Sequence, residues 1–175
     1  HDDLGLATAN TLAAALGGAT HVNTTVNGLG ERAGNAALEE VVLGLRLCQG
    51  IDAGVEVAML PALSERVARA SGRPLGWQKC VVGEGAFTHE AGIHVDGLLK
   101  DPTNYQPYDP ALLGRSHRIV LGKHSGARAV RLIMARLGEE ISEWEARRLL
   151  QRVRGFVASN KLPPSDDDLL RLLRS

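Results

Sequence analysis

The first fifty residues alternate between helix signals and a strand signal, and this alternation constrains the fold more than any other feature. Residues 6–17 are rich in Ala and Leu and end at a glycine pair, which predicts a helix. Residues 20–26 are short and β-branched, which predicts a strand, and apolar residues recur at helical spacing over residues 34–48. This order predicts α/β layering with a parallel sheet, although one strand cannot form a sheet alone.

After residue 50, helix signals and loops replace the alternation. Pro61 opens a predicted helix over residues 60–72, and a shorter helix is predicted around residues 89–99. Further along, the sequence predicts a short strand at 117–121 and three amphipathic helices at 125–137, 142–158 and 165–174, with Ser125, Ser142 and Ser165 as N-caps. We therefore predict three parts, residues 1–50, 51–115 and 116–175, of which the last is mainly helical.

Charge and aromatic content exclude several classes of partner. Twenty Lys and Arg residues balance twenty Asp and Glu residues, and the chain has only two each of Trp, Tyr and Phe. A neutral chain with so few aromatic residues is not expected to bind nucleic acid or an anionic membrane. Cys48 and Cys80 are too few for a disulfide framework, and no apolar run is long enough to span a membrane. These features predict a cytoplasmic protein with free thiols.

Two motifs near the amino terminus could carry chemistry, and each also has a purely structural interpretation. His1-Asp2-Asp3 would hold a catalytic histidine if a barrel strand led into it, and otherwise would be a solvated chain end. Residues 27–35 read N-G-L-G-E-R-A-G-N, and the three glycines allow tight turns and close approach of a ligand to the backbone. The spacing fits neither the P-loop nor the dinucleotide-binding fingerprint, so both an anion site and a structural turn stay open.

Two further motifs contain histidine. His89 and His94 are five residues apart, which puts them on different faces of a helix and makes them a poor shared metal site. One of them could act as a general acid or base, or both could be ordinary polar residues. Residues 122–126 read G-K-H-S-G between a predicted strand and a predicted helix, so this segment could bind an anion or only cap the helix.

Four ordered segments together resemble a known family. They are HDDLGLATAN, NGLGERAGNAALEE, FTHEAGIHVDGLLKDPTNY and GRSHRIVLGKHSG. Over residues 1–137 the chain resembles the 2-isopropylmalate synthase and homocitrate synthase family of Claisen-condensing acyltransferases, and most closely the homocitrate synthases that serve the nitrogenase iron–molybdenum cofactor. The resemblance implies an α/β fold in which this chain forms the last part of a (β/α)8 TIM barrel, followed by a mainly helical C-terminal region.

The resemblance implies a metal site close to the amino terminus. His1 and Asn35 match two ligands of a divalent metal, which would be Mg²⁺, Mn²⁺ or Zn²⁺. Asp2 and Asp3 would orient these ligands through hydrogen bonds. A mixed set of nitrogen and oxygen donors with open water positions suits these metals as Lewis acids.

The resemblance also implies substrate-binding and catalytic residues. Thr25, Gly30 and Glu31 would bind the 2-oxo acid. His94 matches a histidine that acts as acid or base in the active site of the neighbouring subunit, and Tyr105 matches a tyrosine that supports it. The implied assembly is therefore a homodimer in which His94 completes the neighbour's site.

The implied reaction is the condensation of acetyl-CoA with 2-oxoglutarate to give homocitrate and coenzyme A. In this acyl transfer the acyl group becomes an alkyl group. A 2-isopropylmalate or citramalate synthase would use the same chemistry on another 2-oxo acid. A rival from another class is a helical interaction module without catalysis. Because most of the barrel lies outside this sequence, we expect the fragment alone to be inactive.

Overall fold

The computed structural model describes residues 1–175 and places them in two compact units. The first contains residues 1–86 and 110–115, and the second contains residues 87–109 and 116–175. Seven α-helices and one two-stranded parallel sheet form the regular structure, which is consistent with a fragment of an α/β fold. The three-part division of the chain stays a prediction.

Local sequence sets the ends of the helices in the first unit. These helices are α1 (Ala7–Leu16), α2 (Leu38–Gln49) and α3 (Leu60–Ser71), close to the predicted ranges. Gly50 follows α2 and Gly72 follows α3, and both adopt the left-handed conformation that residues with a side chain rarely take. Pro61 lies in the first turn of α3, as predicted, where its missing N–H costs nothing.

α1 packs on α2 around a small aliphatic core. Its buried members are Ala7, Ala36, Val41 and Leu45. Gly44 makes the contact possible, because a Cβ atom there would lie 2.8 Å from Leu12 Cδ1. Leu16 stays 72% exposed at the end of α1, so this helix keeps an uncovered apolar side chain.

The strand predicted at residues 20–26 does not form. Only Thr25 makes a parallel bridge, to Ala37, through bonds from the Thr25 amide to the Ala36 carbonyl (3.0 Å) and from the Leu38 amide to the Thr25 carbonyl (2.9 Å). The prediction is wrong because a β-branched run becomes a strand only when a neighbouring strand completes its hydrogen bonds. In this chain, only residues 36–38 pair with it.

The second unit begins with a small sheet and continues as a cluster of helices. Its elements are β1 (Thr88–His89), α4 (Gly92–Lys100), β2 (Arg118–Ile119), α5 (Ala127–Arg136), α6 (Glu143–Asn160) and α7 (Asp166–Arg174). β1 pairs with β2 in parallel, with Thr88 opposite Arg118 and His89 opposite Ile119. The predicted short strand and the predicted helix before it are thus both present, with shorter or shifted bounds.

Aliphatic side chains from α5, α6 and α7 form the main core of the second unit. Its most deeply buried members include Val130, Met134, Leu149, Val153 and Leu169. Burying one such side chain fully contributes about 1.5–3 kcal/mol to stability. These three helices were each predicted from their apolar spacing, and the core explains that spacing.

Ser142 and Ser165 cap α6 and α7, as predicted, and each belongs to a capping box. The Ser142 hydroxyl accepts a hydrogen bond from the Glu145 amide, while the Glu145 carboxylate accepts one from the Ser142 amide. Ser165 and Asp168 repeat this arrangement at the start of α7. Each box satisfies amide groups that have no partner within the helix.

The prediction that Ser125 caps α5 is wrong. Its hydroxyl accepts a hydrogen bond from the Gly122 amide (2.9 Å) and donates one to the Glu90 carbonyl (3.0 Å). Gly126 takes the N-cap position of α5, without a side-chain cap. Ser125 is buried, so its hydroxyl satisfies interior backbone groups and does not serve the helix end.

Neither cysteine forms a disulfide bond. Cys48 and Cys80 are both free and exposed, which confirms the prediction of free thiols. Among the helices of the structure, none combines the length and the apolar character that a bilayer crossing requires.

Truncating the core of the second unit should destabilise it strongly. Leu149 is fully buried, so Leu149→Ala removes packed atoms and leaves a cavity that costs about 2–5 kcal/mol in the free energy of unfolding. Leu132→Ala on the exposed side of α5 is the control and should cost less than about 1 kcal/mol. Urea unfolding followed by circular dichroism measures both. Equal losses for the two variants would contradict this core.

Candidate functional site

Backbone and side-chain bonds join the amino-terminal loop to the glycine-rich loop. The Asp2 amide donates to the Gly34 carbonyl (2.9 Å), and the Arg32 guanidinium donates twice to the Asp3 carboxylate (2.9 and 3.1 Å). Because His1 precedes Asp2 and Asn35 follows Gly34, the two predicted metal ligands flank the backbone bond. We call residues 1–3 and 28–35 together the glycine-loop cluster.

Glycine is required at two points of this cluster. Gly34 adopts a left-handed φ of 93°, and a Cβ atom there would lie 2.2 Å from the Gly28 carbonyl oxygen. At Gly30 a Cβ atom would lie 2.5 Å from Asn35 Nδ2, so this glycine leaves the space that the asparagine side chain occupies. The glycines are therefore needed for close packing, whatever the loop binds.

The donors of the cluster fit an oxygen-preferring or borderline divalent metal. The Asn35 Nδ2 amide donates to the Leu29 carbonyl (3.1 Å), which fixes the side chain and leaves Oδ1 as the atom that can accept a cation. The His1 side chain is exposed and can supply a nitrogen donor. No group of three or more His, Cys, Asp or Glu side chains in the structure could hold a metal. A complete site would need further donors from outside this chain.

The two aspartates beside His1 have structural partners. Asp2 Oδ1 accepts the amide of Ala7 (2.9 Å) at the start of α1. The hydrogen bond from Arg32 is the main cause that holds the pKa of the Asp3 carboxyl below its ordinary value. Both contacts hold the amino-terminal loop in place, and an orienting role toward a metal stays a prediction.

The three predicted substrate-binding residues lie in different surroundings. The Thr25 hydroxyl is buried and has no hydrogen-bond partner. Gly30 lies against the Asn35 side chain, and Glu31 is exposed. The structure brings Gly30 and Glu31 into the glycine-loop cluster, whereas the Thr25 hydroxyl is shielded from solvent.

A buried ion-pair network beside this cluster was not predicted. Glu39 is 1% exposed, its Oε2 accepts the Asn27 amide (3.0 Å), and its Oε1 lies 3.3 Å from Lys79 Nζ. Glu40 bonds the same ammonium group. Burial alone would lower the pKa of Lys79, but the hydrogen bond to Glu40 and the two negative charges outweigh burial and raise it. Lys79 is far from the two glutamates in sequence, so no short motif predicts this contact.

In the second unit, the start of α4 is anchored on the G-K-H-S-G segment. The His124 amide donates to Glu90 Oε1 (3.1 Å), and the Gly92 amide donates to the His124 carbonyl (3.0 Å). A Cβ atom on Gly122 would lie 2.3 Å from the Glu90 carboxyl carbon. The chain's own Glu90 carboxylate therefore takes the place that an external anion could have taken.

His94 and Tyr105, the two predicted catalytic residues, lie side by side. Their ring centroids are 4.5 Å apart, and the ring planes are tilted by 32°. His94 lies in the first turn of α4 and is exposed, while Tyr105 is half-buried. The structure thus brings these two residues together at the surface of the second unit.

A chain of side-chain hydrogen bonds runs beside this pair. His89 Nε2 lies 3.0 Å from His117 Nδ1, and His117 Nε2 lies 2.7 Å from Gln106 Oε1. Burial first, and then the positive charges that His117 and His94 can carry, lower the pKa of His89. Neutral His89 is thus favoured in the folded chain. We call His89, His94, Tyr105, Gln106 and His117 the histidine cluster.

Two family models match the two parts of the chain that hold these clusters. A model described as HMGL-like matches residues 1–67, which include the glycine-loop cluster. A model described as homocitrate synthase post-HMGL domain-like matches residues 81–161, which include the histidine cluster.

Curated relatives match almost the whole chain. A 2-isopropylmalate synthase of Caldanaerobacter subterraneus is 48% identical over 98% of this chain and 45% of its own length. An (R)-citramalate synthase of Methanocaldococcus jannaschii is 45% identical over 99% of the chain and 35% of its length. A homocitrate synthase of Methanopyrus kandleri is 45% identical over 100% of the chain and 44% of its length. The chain thus spans less than half the length of these relatives.

This chain is homologous to the HMGL-like synthases. Relatives named as 2-isopropylmalate, citramalate and homocitrate synthases are nearly equally similar to it, at 45–48% identity, so the comparisons support the synthase family and do not distinguish the substrate. The predicted family is confirmed at this level. The narrower prediction, a homocitrate synthase, belongs to the proposal below.

A methyl group at Gly30 should disturb metal binding at the predicted site of the full-length protein. In the full-length protein, Gly30→Ala is expected to weaken Mn²⁺ binding by about tenfold or more, because the added Cβ displaces the Asn35 amide. Asn35→Ala should weaken it as well. Calorimetric titration with Mn²⁺ measures both affinities.

Gly76→Ala is the matched control, since a Cβ atom there meets nothing within 4 Å and the backbone is not left-handed. This variant should bind Mn²⁺ as the unsubstituted protein does. Normal Mn²⁺ affinity in both Gly30→Ala and Asn35→Ala would remove Asn35 from the ligand set.

Proposed function

We propose that the protein containing this chain is a synthase that condenses acetyl-CoA with a 2-oxo acid and releases coenzyme A. The proposal is supported by the Asp2–Gly34 backbone bond, which joins the two loops that carry His1 and Asn35, and by the bond that orients the Asn35 amide on the Leu29 carbonyl. The His1 imidazole nitrogen and the Asn35 amide oxygen are donors that suit a divalent metal, and together they would supply part of its ligand set. The homology to three condensing synthases supports the same reaction class.

His1 and Asn35 would hold Mg²⁺, Mn²⁺ or Zn²⁺ together with donors from outside this chain. When bound, such a metal polarises the keto group of the 2-oxo acid as a Lewis acid. Asp3 and Asp2 keep the amino-terminal loop in position through Arg32 and Ala7.

We assign binding of the 2-oxo acid to Thr25, Gly30 and Glu31. Gly30 allows close approach because it carries no side chain, and Glu31 is exposed on the same loop. The unpartnered Thr25 hydroxyl is a polar group that a ligand can satisfy after a small movement.

His94 supplies the acid–base chemistry in this proposal. It removes a proton from the methyl carbon of the acetyl group, and that carbon forms a bond to the keto carbon of the 2-oxo acid. The keto oxygen becomes an alkoxide and takes up a proton, with Tyr105 supporting the transfer. Water then cleaves the thioester C–S bond, which gives the carboxylic acid and free coenzyme A. The exposed position of His94 suits action in the active site of the neighbouring subunit of a cytoplasmic homodimer.

We favour 2-oxoglutarate as the acceptor, which makes the protein a homocitrate synthase and links it to the nitrogenase cofactor. The support is the resemblance of the four segments and the homology to homocitrate synthases. A 2-isopropylmalate or citramalate synthase is the second candidate, favoured by relatives that are 48% and 45% identical to this chain.

The substrate is tested by coenzyme A release from the full-length protein with acetyl-CoA, Mn²⁺ and one 2-oxo acid at a time. We expect the highest kcat/KM with 2-oxoglutarate. A preference for 2-oxoisovalerate or pyruvate would keep the reaction and replace the product. No release with any of the three acids would favour the non-catalytic helical module.

In the same assay, His94→Ala should lower kcat by about two to four orders of magnitude, as expected for loss of a general acid or base. Metal binding should be unchanged. His21→Ala is the control, because His21 is exposed and its side-chain hydrogen bond is to the neighbouring Thr20 hydroxyl. Equal turnover in both variants would reduce His94 to a structural residue.

A further inference from the structure

The Tyr105 ring rests directly on the backbone of α4 at Gly97. A Cβ atom on Gly97 would lie 2.1 Å from Tyr105 Cε2 and 2.7 Å from Cδ2. Gly97 is three residues after His94 and therefore lies on the same side of α4. The absence of a side chain at position 97 is what lets the tyrosine reach the histidine.

The segment that carries Tyr105 has little regular structure of its own. It follows a single 3-10 turn at Pro102–Asn104, in which the Tyr105 amide donates to the Pro102 carbonyl (3.2 Å). A segment of this kind is mobile unless other contacts hold it. The residue immediately after the tyrosine, Gln106, makes such a contact.

Gln106 connects this segment to the sheet. Its amide oxygen can only accept, so His117 Nε2 carries the proton of the 2.7 Å bond. In neutral His117 the Nδ1 atom then accepts, and His89 Nε2 donates to it across 3.0 Å. His89 belongs to β1 and His117 directly precedes β2, so the bonds lead from the tyrosine segment into the paired strands. The Phe87 ring, 6.2 Å from that of His117, packs beside this connection.

We propose that Gly97 and the chain Gln106–His117–His89 are positioning elements that hold Tyr105 against His94. The inference rests on the proposed function, because it assigns these residues a purpose in the acid–base step. Gly97 provides the space, and Gln106 stops the segment from moving the phenol away. None of these residues touches the reacting atoms, so each acts through Tyr105.

A double-mutant cycle in the full-length protein tests this role. Gln106→Met keeps the length of the side chain and removes the acceptor, and we expect a roughly tenfold loss of kcat with both KM values within about twofold. Gln106→Glu keeps an acceptor and should restore most of the turnover. In a Tyr105→Phe background, Gln106→Met should cost nothing more, because the group it positions is already gone. A loss of equal size in both backgrounds would overturn the proposal.

Gly97→Ala examines the other contact. Alanine is a better helix former than glycine, and Gly97 has no left-handed φ, so α4 should persist while the methyl group displaces the Tyr105 ring. We expect kcat to fall by about the same factor as in Tyr105→Phe. Gly155→Ala in α6, where a Cβ atom meets nothing within 4 Å, should leave kcat unchanged. Normal turnover in Gly97→Ala would contradict the proposal.

An NMR measurement separates failure of this inference from failure of the proposed function. With glycine-labelled full-length protein, the Gly97 Hα signals should be shifted upfield by the Tyr105 ring, and Gln106→Met should reduce that shift. This result supports the positioning contact even if no 2-oxo acid is consumed. An unchanged Gly97 signal in Gln106→Met and in Tyr105→Leu, which removes the aromatic ring, would overturn the contact, whatever the activity assay shows.

Discussion

The hydrogen bond from the Asp2 amide to the Gly34 carbonyl is the contact on which the proposed metal site depends. It joins two segments that are more than thirty residues apart in sequence, one carrying His1 and the other Asn35. The bond forms only because residue 34 is a glycine in the left-handed region that packs against the Gly28 carbonyl. The Asp3–Arg32 ion pair is exposed and adds little stability, but it keeps the same two loops in register.

In the second unit, hydrogen bonds fix the first turn of α4, which carries His94. The Glu90 carboxylate and the Gly92 amide tie the first turn of α4 to His124. The β1–β2 pairing and the core of α5, α6 and α7 then support that anchor. Rigid supports of this kind reduce the cost of placing an acid–base group correctly. The exposed side chain of His94 thus extends from a helix turn that these hydrogen bonds tie to the rest of the second unit.

Local signals in the sequence were sufficient for most of the helices. Ser142 and Ser165 cap their helices because the capping residue and its partner are only three positions apart. The prediction of a strand at 20–26 was wrong because a strand forms only where another segment of the chain pairs with it. The prediction that Ser125 caps α5 was wrong for a similar reason, since the Ser125 hydroxyl bonds to Glu90, which is distant in sequence.

The candidate site residues also differ in whether the sequence could identify them. The family resemblance pointed to His94 and Tyr105, and their stacking agrees with a shared role. The bond between Gln106 and His117 and the ion pairs of Lys79 join residues that are distant in sequence. Neither follows from periodicity or from a short motif, so only the folded arrangement reveals them.

In the proposed enzyme, the glycine-loop cluster of one subunit works with His94 of its neighbour. Subunit complementation tests it directly: full-length Asn35→Ala and His94→Ala proteins are mixed, exchanged and assayed for coenzyme A release at an Mn²⁺ concentration that leaves the Asn35→Ala protein without metal and therefore nearly inactive alone. If the sites are shared, every mixed dimer contains one intact site, and activity should return to about a quarter of the unsubstituted value. If the mixture stays as inactive as its parents although mixed dimers have formed, the claim is contradicted.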